Sequence, residues 1–217
     1  MSSSNYSALE TSLSLESTSV LDSLSRNDLR KHLRAERKAL PASQQQAAAV
    51  ALSTQLQTSP WLKQHLATHP ADQVHVALYL SNDGEISPDV FCQYLWSLGV
   101  QVYLPIIDGE TLLFGLYTPE TQWQQNRFAI DEPLDPNPLT AEQLHLVCLP
   151  LVGFDKSGGR LGMGGGFYDK TFAHKAKHTA LIGLAHDCQQ VNRLPIESWD
   201  VPLDGIVTAS QRIECTE

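Results

Sequence analysis

Apolar positions recur at helical spacing near the start of this chain and gather into strand-length runs further on. Leu29, Leu33 and Leu40 fall on one helical face. Ser25 supplies a cap for that helix, with Asp28 three positions later in a capping-box-like start. Pro41 ends it, and Ser43 is expected to cap a second helix that runs to about Gln57. Residues 74–80 (VHVALYL) predict a strand that breaks at SNDGEISP. Pro88 suits the first turn of a helix over DVFCQYLWSL, which Gly99 terminates. A second strand, VQVYLPII, follows at once, so the three elements predict a parallel βαβ unit. Asp108-Gly109 is a turn signal before a further strand, TLLFGLY.

Residues 118–143 are polar and proline-rich and predict a long surface connection, a common place for binding residues. HLVCLPLVGF is the most apolar run and the candidate for a central buried strand. A glycine-rich segment, a short amphipathic helix (FYDKTFAHKAK) and two closing strands (TALIGLAH and DGIVTA) complete the chain. No internal repeat and no second domain boundary interrupts this order. The expectation is one α/β domain over residues 25–217.

Composition narrows the function. Hydrophobic residues make up 42% of the chain and charged residues 18%, enough apolar material for a sizeable core. The net charge of −9 argues against non-specific binding to nucleic acid or an anionic membrane surface. Cys92, Cys148, Cys188 and Cys215 lie far apart, with no CxxC and no zinc-like spacing. Cys92 and Cys148 sit in apolar runs as small core residues, the usage of a reducing compartment. Residues 1–24 are rich in Ser and Thr and lack Lys and Arg, so a disordered tail is expected there, not a secretory signal. No apolar stretch reaches the length of a membrane-spanning helix. A cytoplasmic protein is expected.

The segment FDKSGGRLGMGGGFYDK is the strongest chemical signal. Its glycines remove side chains that would block a backbone approach to phosphate, and they permit the positive φ values that turn successive N–H groups toward one anion. The following helix would add its positive end. Arg160 could pair with phosphate oxygens, and Asp169 could reach a magnesium ion held by the same phosphates. Neither the G-x-x-x-x-G-K-[ST] nor the G-x-G-x-x-G pattern is present. A turn that only lets two elements pack is the other reading of these glycines.

Arg26, Arg30, Arg34 and Arg37 form a stripe on the first helix, either a solvated face or a set of cations for a polyphosphate. Glu85 follows the first strand, where α/β sheets bind ligands. It could accept hydrogen bonds from the amino and amide groups of a pterin-like ring, or simply favour the helix that follows. His32, His65, His69, His174 and His178 lie in polar contexts expected to be exposed, and no histidine is assigned a catalytic role.

In order along the chain, RNDLRKHLRAERKAL, LYLSNDGEIS, VYLP, DEP, LPLVGFDKSGGRLGMGGGFYDK, IGLAHDCQ and LPIESWDVPLDGIVT resemble the 5-formyltetrahydrofolate cyclo-ligase family. The likeness spans residues 25 to 208, nearly everything outside the tail. It implies a single α/β domain with a mixed, largely parallel sheet flanked by helices, similar to sugar-phosphate isomerase-like and CoA-transferase-like folds. It implies ATP- and Mg²⁺-dependent cyclisation of 5-formyltetrahydrofolate to 5,10-methenyltetrahydrofolate, by an enzyme expected to act as a monomer. Arg160 and Asp169 are the catalytic pair so implied. The ATP contacts are Arg26, Arg30, Arg160, Leu161, Gly162, Met163, Gly164, Gly165, Gly166, Phe167 and Tyr168. Leu80 and Glu85 would meet the folate, together with Met163 through Phe167, and Asp169 and Asp204 would hold magnesium. Many relatives carry Lys where this chain has Gly165, and Arg where it has Lys170. A different enzyme on this kind of fold, needing no ATP, and a non-catalytic folate- or nucleotide-binding regulator are the competing readings.

Overall fold

A computed structural model describes residue 21 and residues 23–215. The tail expected over residues 1–24 lies outside the described residues at 1–20 and at 22. The α-helices bounded among the described residues are α1 (Arg26–Ala39), α2 (Ala42–Gln57), α3 (Pro60–Thr68), α4 (Asp89–Ser97) and α5 (Phe167–Phe172). The principal strands are β1 (His75–Ala77), β2 (Gln101–Asp108), β3 (Thr111–Tyr117), β6 (Leu146–Pro150), β9 (Ala180–Leu184), β10 (Gly205–Val207) and β11 (Arg212–Glu214). They form one sheet in the order β11-β10-β9-β6-β1-β2-β3. The run from β10 through β2 is parallel, and β11 and β3 add antiparallel edges. The fold is therefore a single α/β domain with a mixed, mostly parallel sheet.

Strand β6 lies in the middle of this sheet, as its apolar run predicts. Cys148 packs on one face with Leu52, Leu56, Phe91 and Leu95 from α2 and α4. Val147 and Leu149 pack on the other with Phe114, Phe154 and Phe172. Alternate residues point to opposite faces, and both faces are covered, so no position on this strand favours a polar side chain. The βαβ unit is present, with β1 and β2 joined through α4 and paired in parallel.

Several local expectations change. Ser43 lies inside α2, whose cap position is Pro41. Pro41 fixes φ near −57° and enters the helix directly, so the turn needs no side-chain cap. The polar stretch after residue 60 contains α3, started by Ser59, whose hydroxyl accepts from the Leu62 amide, with Pro60 in the first turn. β1 is shorter than its apolar run, although the Leu78 amide still donates to the Tyr103 carbonyl. The connection over 118–143 carries a small hairpin, β4 (Trp123–Gln125) with β5 (Asp131–Pro133). The glycine-rich segment is entered through another, β7 (Gly153–Phe154) with β8 (Arg160–Leu161). On α1 the buried positions are Leu29, Leu33 and Arg37, so one member of the arginine stripe is on the core face. Leu21 and Leu24 pack against the same cluster as Leu29 and Leu33. Cys92 and Cys148 are buried and all four cysteines are free. Among the described residues no helix is long and apolar enough to cross a membrane.

At the amino ends of the parallel strands the histidines gather. His65, expected to be exposed, is buried at 7% relative exposure. Four rings, those of His65, His69, His75 and His178, surround His145 with centroids 4.9–5.8 Å away. His145 Nδ1 accepts from the His75 amide at 3.1 Å, which places the ring proton on Nε2. Burial, reinforced by the surrounding imidazoles, pulls His145 from the usual 6.5 down to about 4. His65 is lowered too, by burial and then by His69 and His178. A group whose folded value lies below its unfolded one binds more protons when unfolded, so stability falls as pH drops from about 6.5 toward 4. Denaturant midpoints measured between pH 7 and 4.5 should fall accordingly, and His145→Asn should flatten the slope. An unchanged slope in that variant would show that the cluster does not carry the effect.

Candidate active site

A pocket of about 1300 Å³ opens where β1, β2 and β6 release their chains into loops. Roughly 300–1,000 Å³ serves a single small ligand, so this one has room for two. Leu80 and Glu85 follow β1, Pro105 lies on β2, Pro150 ends β6, and the glycine-rich loop forms the far wall.

That loop is built by Asp155. One carboxylate oxygen accepts from the amides of Ser157 and Gly159, and the other from the Leu194 amide. The β7–β8 turn is thereby tied to the segment after β9. The chain then leaves β8 as residues 162–166. Gly164 at φ +100° and Gly166 at φ +67° adopt left-handed conformations that residues with a Cβ rarely take. α5 begins immediately after Gly166 but is only six residues long. Its dipole is correspondingly small, so an anion here depends on the loop amides and nearby cations more than on the helix end expected from the sequence.

α1 lies along this loop. Arg30 Nε donates to the Gly162 carbonyl at 2.8 Å, and its side chain has no carboxylate partner among the described residues. Arg26 forks onto both carboxylate oxygens of Asp200 and donates to the Pro195 carbonyl. Burial opposes ionisation of Asp200, but hydrogen bonds from Arg26 and from the Glu197 segment outweigh it and hold the group below its usual range. Arg160, expected at a phosphate, is 6% exposed and pairs with Asp169, while its Nε donates to the Val201 carbonyl. Asp169 also accepts from the Val201 amide at 3.0 Å. These contacts bring the loop, α5 and residues 195–202 together as one wall.

Most of the predicted residues meet here: Arg26, Arg30, Leu80, Glu85, Arg160, Gly162 through Gly166, Phe167, Tyr168 and Asp169 all line the pocket. Two do not. Leu161 points into the core with Leu29, Leu33 and Val152, the inward position on its short strand. Asp204 stands at the start of β10, where its carboxylate accepts from the Leu181 amide at 2.7 Å and from Lys175 at 3.2 Å. Asp200, four residues earlier in WDVPLD, is the carboxylate that reaches the pocket. Phe128 was not predicted; it is 55% exposed, meets Phe167 edge-on at 6.1 Å, and has Arg127 beside it. An aromatic residue in an otherwise polar, proline-rich connection was its only sequence signal. Gly165 is exposed, and a side chain there would meet the Phe167 ring at 3.0 Å. Lys170, which also lines the pocket, pairs with the exposed Glu110 at 2.8 Å.

Fold and site together define a single-domain α/β enzyme whose pocket is shared between a glycine-rich loop and a half-buried carboxylate. The chain belongs to the 5-formyltetrahydrofolate cyclo-ligase family, whose model matches residues 22–209. It is 40% identical over 186 residues to 5-formyltetrahydrofolate cyclo-ligase of Escherichia coli strain K12, covering 82% of this chain and 97% of that one. It is 48% identical over 139 residues to the cyclo-ligase of Haemophilus influenzae, covering 61% and 74%. Among solved structures, 5,10-methenyltetrahydrofolate synthetase of Aquifex aeolicus superposes with a TM-score of 0.75 at 24% identity, over 88% of this chain and 93% of that one. At that identity the likeness speaks for the fold.

Two carboxylates two residues apart have opposite environments. Burial raises the Glu85 carboxyl above its ordinary 4.5, against opposing contributions from the Asn82 amide and Arg37. A hydrogen bond from Arg34, opposed by burial and aided by Lys38 and Arg37, holds Asp83 well below its ordinary range. As pH falls, Glu85 should therefore lose its charge first. Carboxyl titration by nuclear magnetic resonance should place the Glu85 midpoint above 4.5 and that of Asp83 far below it. A Glu85 midpoint at or under the ordinary value would contradict this assignment.

Proposed function

We propose that this chain catalyses the ATP-dependent cyclisation of 5-formyltetrahydrofolate to 5,10-methenyltetrahydrofolate, releasing ADP and phosphate. The observation that carries the reading is a pocket of about 1300 Å³ with a glycine loop and arginines on one side and Glu85 on the other. Family membership supplies the reaction class. The γ-phosphoryl group is transferred to the formyl oxygen. N10 then attacks the activated carbon, its proton is lost, and the former formyl oxygen leaves as phosphate. Phosphoryl transfer requires placement and charge neutralisation more than covalent help from the protein.

The loop amides at 162–166 and the Arg30 guanidinium bind the polyphosphate. Arg160 acts from beneath by orienting Asp169. Glu85 accepts hydrogen bonds from the amino and amide groups of the pterin, and Phe128 with Phe167 gives its ring an apolar wall. Magnesium binds with few protein carboxylates and several phosphate oxygens or waters. Asp169 and Asp200, both on the pocket wall and each beside an arginine, fit that mode; Asp204 does not line the pocket, and its carboxylate accepts from the Leu181 amide and Lys175. Bound there, the ion would offset charge on the phosphates. Four free cysteines support a cytoplasmic setting, and a monomer suffices because one chain supplies the pocket lining.

Near-ultraviolet absorbance tests this directly. Purified protein with 5-formyltetrahydrofolate and Mg²⁺ should form methenyltetrahydrofolate only when ATP is present, and a chelator should stop it. Arg30→Ala should lower kcat/KM by on the order of 100-fold while leaving the fold intact, in line with loss of a charged contact to a transferring phosphoryl group. Folded protein that makes no product with ATP would overturn the proposal.

A further inference from the structure

Arg37 is fully buried, yet it carries a charge. Such a group is tolerated only when its donors are satisfied. Here Nε donates to the Asp83 carbonyl at 2.9 Å, one terminal nitrogen to the Leu151 carbonyl at 2.9 Å, and the other to the Asp83 carboxylate at 3.0 Å. That last nitrogen also lies 3.6 Å from Glu85 Oε1. One planar guanidinium thus joins α1, the turn after β1 and the segment after β6.

The turn it holds is unusual. Asp83 at φ +54° and Gly84 at φ +76° are successive left-handed residues, and Asp83 has a Cβ that disfavours this conformation. Its carboxylate also receives Arg34 Nε at 2.7 Å and the Lys38 ammonium, so three cations from α1 converge on it. A side chain at Gly84 would meet the Lys38 backbone at 3.2 Å, so the turn is seated directly on the helix. Glu85 comes next and leans back to accept from the Asn82 amide at 3.1 Å.

Arg30 and Arg26 lie seven and eleven residues before Arg37, close to two and three helical turns, and therefore on neighbouring parts of one face. α1 is a rigid rod that touches the glycine loop through Arg30 and the Glu85 turn through Arg37, about 10 Å apart along its axis.

We propose that Arg37 is a positioning residue for Glu85, and that the Arg34, Arg37 and Lys38 clamp on Asp83 makes α1 the mechanical link between the nucleotide and folate halves of the pocket. This rests on the functional reading above. Lysine cannot reproduce the planar fork, since its single ammonium cannot serve the Asp83 carbonyl, the Asp83 carboxylate and the Leu151 carbonyl at once.

The test is steady-state kinetics of Arg37→Lys and Glu85→Gln, singly and combined. The expected result for Arg37→Lys is a KM for 5-formyltetrahydrofolate raised on the order of tenfold, with kcat and the KM for ATP changed far less. In that background Glu85→Gln should add little, because a misplaced carboxylate has already lost its contact. If Arg37→Lys does not fold, Asp83→Asn reads the same clamp from its partly exposed side and should give the same split. An unchanged folate KM in the folded variant, or fully additive effects in the double variant, would overturn the clamp. Wild-type protein assayed in parallel keeps the two readings apart. A wild type without ATP-dependent product overturns the functional reading and the clamp with it, whereas an active wild type beside normal variants overturns the clamp alone.

Discussion

Strand β6 is hydrogen-bonded to β1 on one side and β9 on the other, parallel to both and buried on both faces. Every ligand-facing loop takes its position from that arrangement. Parallel strands deliver their carboxyl ends to one edge of the sheet, so the turn carrying Glu85 and the hairpin leading into the glycine loop must open on the same side. A strand covered on both faces has no tolerance for polar residues, and the run LVCLP meets that requirement. The amino ends face the other way and hold the histidine cluster, remote from the pocket.

Within the pocket, charge is organised in pairs more than in free groups. Arg26 with Asp200, and Arg160 with Asp169, place two cations and two carboxylates along one wall. Buried or half-buried ions persist when they are paired and their remaining donors are occupied. Val201, next in the chain to Asp200, holds the second pair, giving its carbonyl to Arg160 and its amide to Asp169. The wall is thus a network that holds its shape before any ligand arrives, the condition under which fixed dipoles and charges act most strongly on a developing charge.

Much of this was legible in the sequence. The βαβ unit, the central strand and the glycine-rich loop follow from local chemistry: chain period, the φ limits of proline and glycine, and helix caps. α3 was legible in principle through Ser59-Pro60 but hidden by the polar residues around it, because its exposed face is longer than its buried one. In the sequence Arg37 is one more member of a charged stripe. Spacing assigns a residue to a helix face, but it does not say which face a distant turn will cover.

The sequence by itself determined the βαβ unit, the central strand and the place of the glycine-rich loop, since each depends on residues near one another in the chain. Only the tertiary structure decided which of Asp200 and Asp204 reaches the pocket, that Leu161 turns inward, that Phe128 joins the site and that Arg37 holds the Glu85 turn. Those outcomes depend on contacts between segments far apart in sequence. Four residues of spacing separate two aspartates that packing sends to different places, because Asp200 finds Arg26 across the loop while Asp204 is captured by the Leu181 amide at the edge of β9.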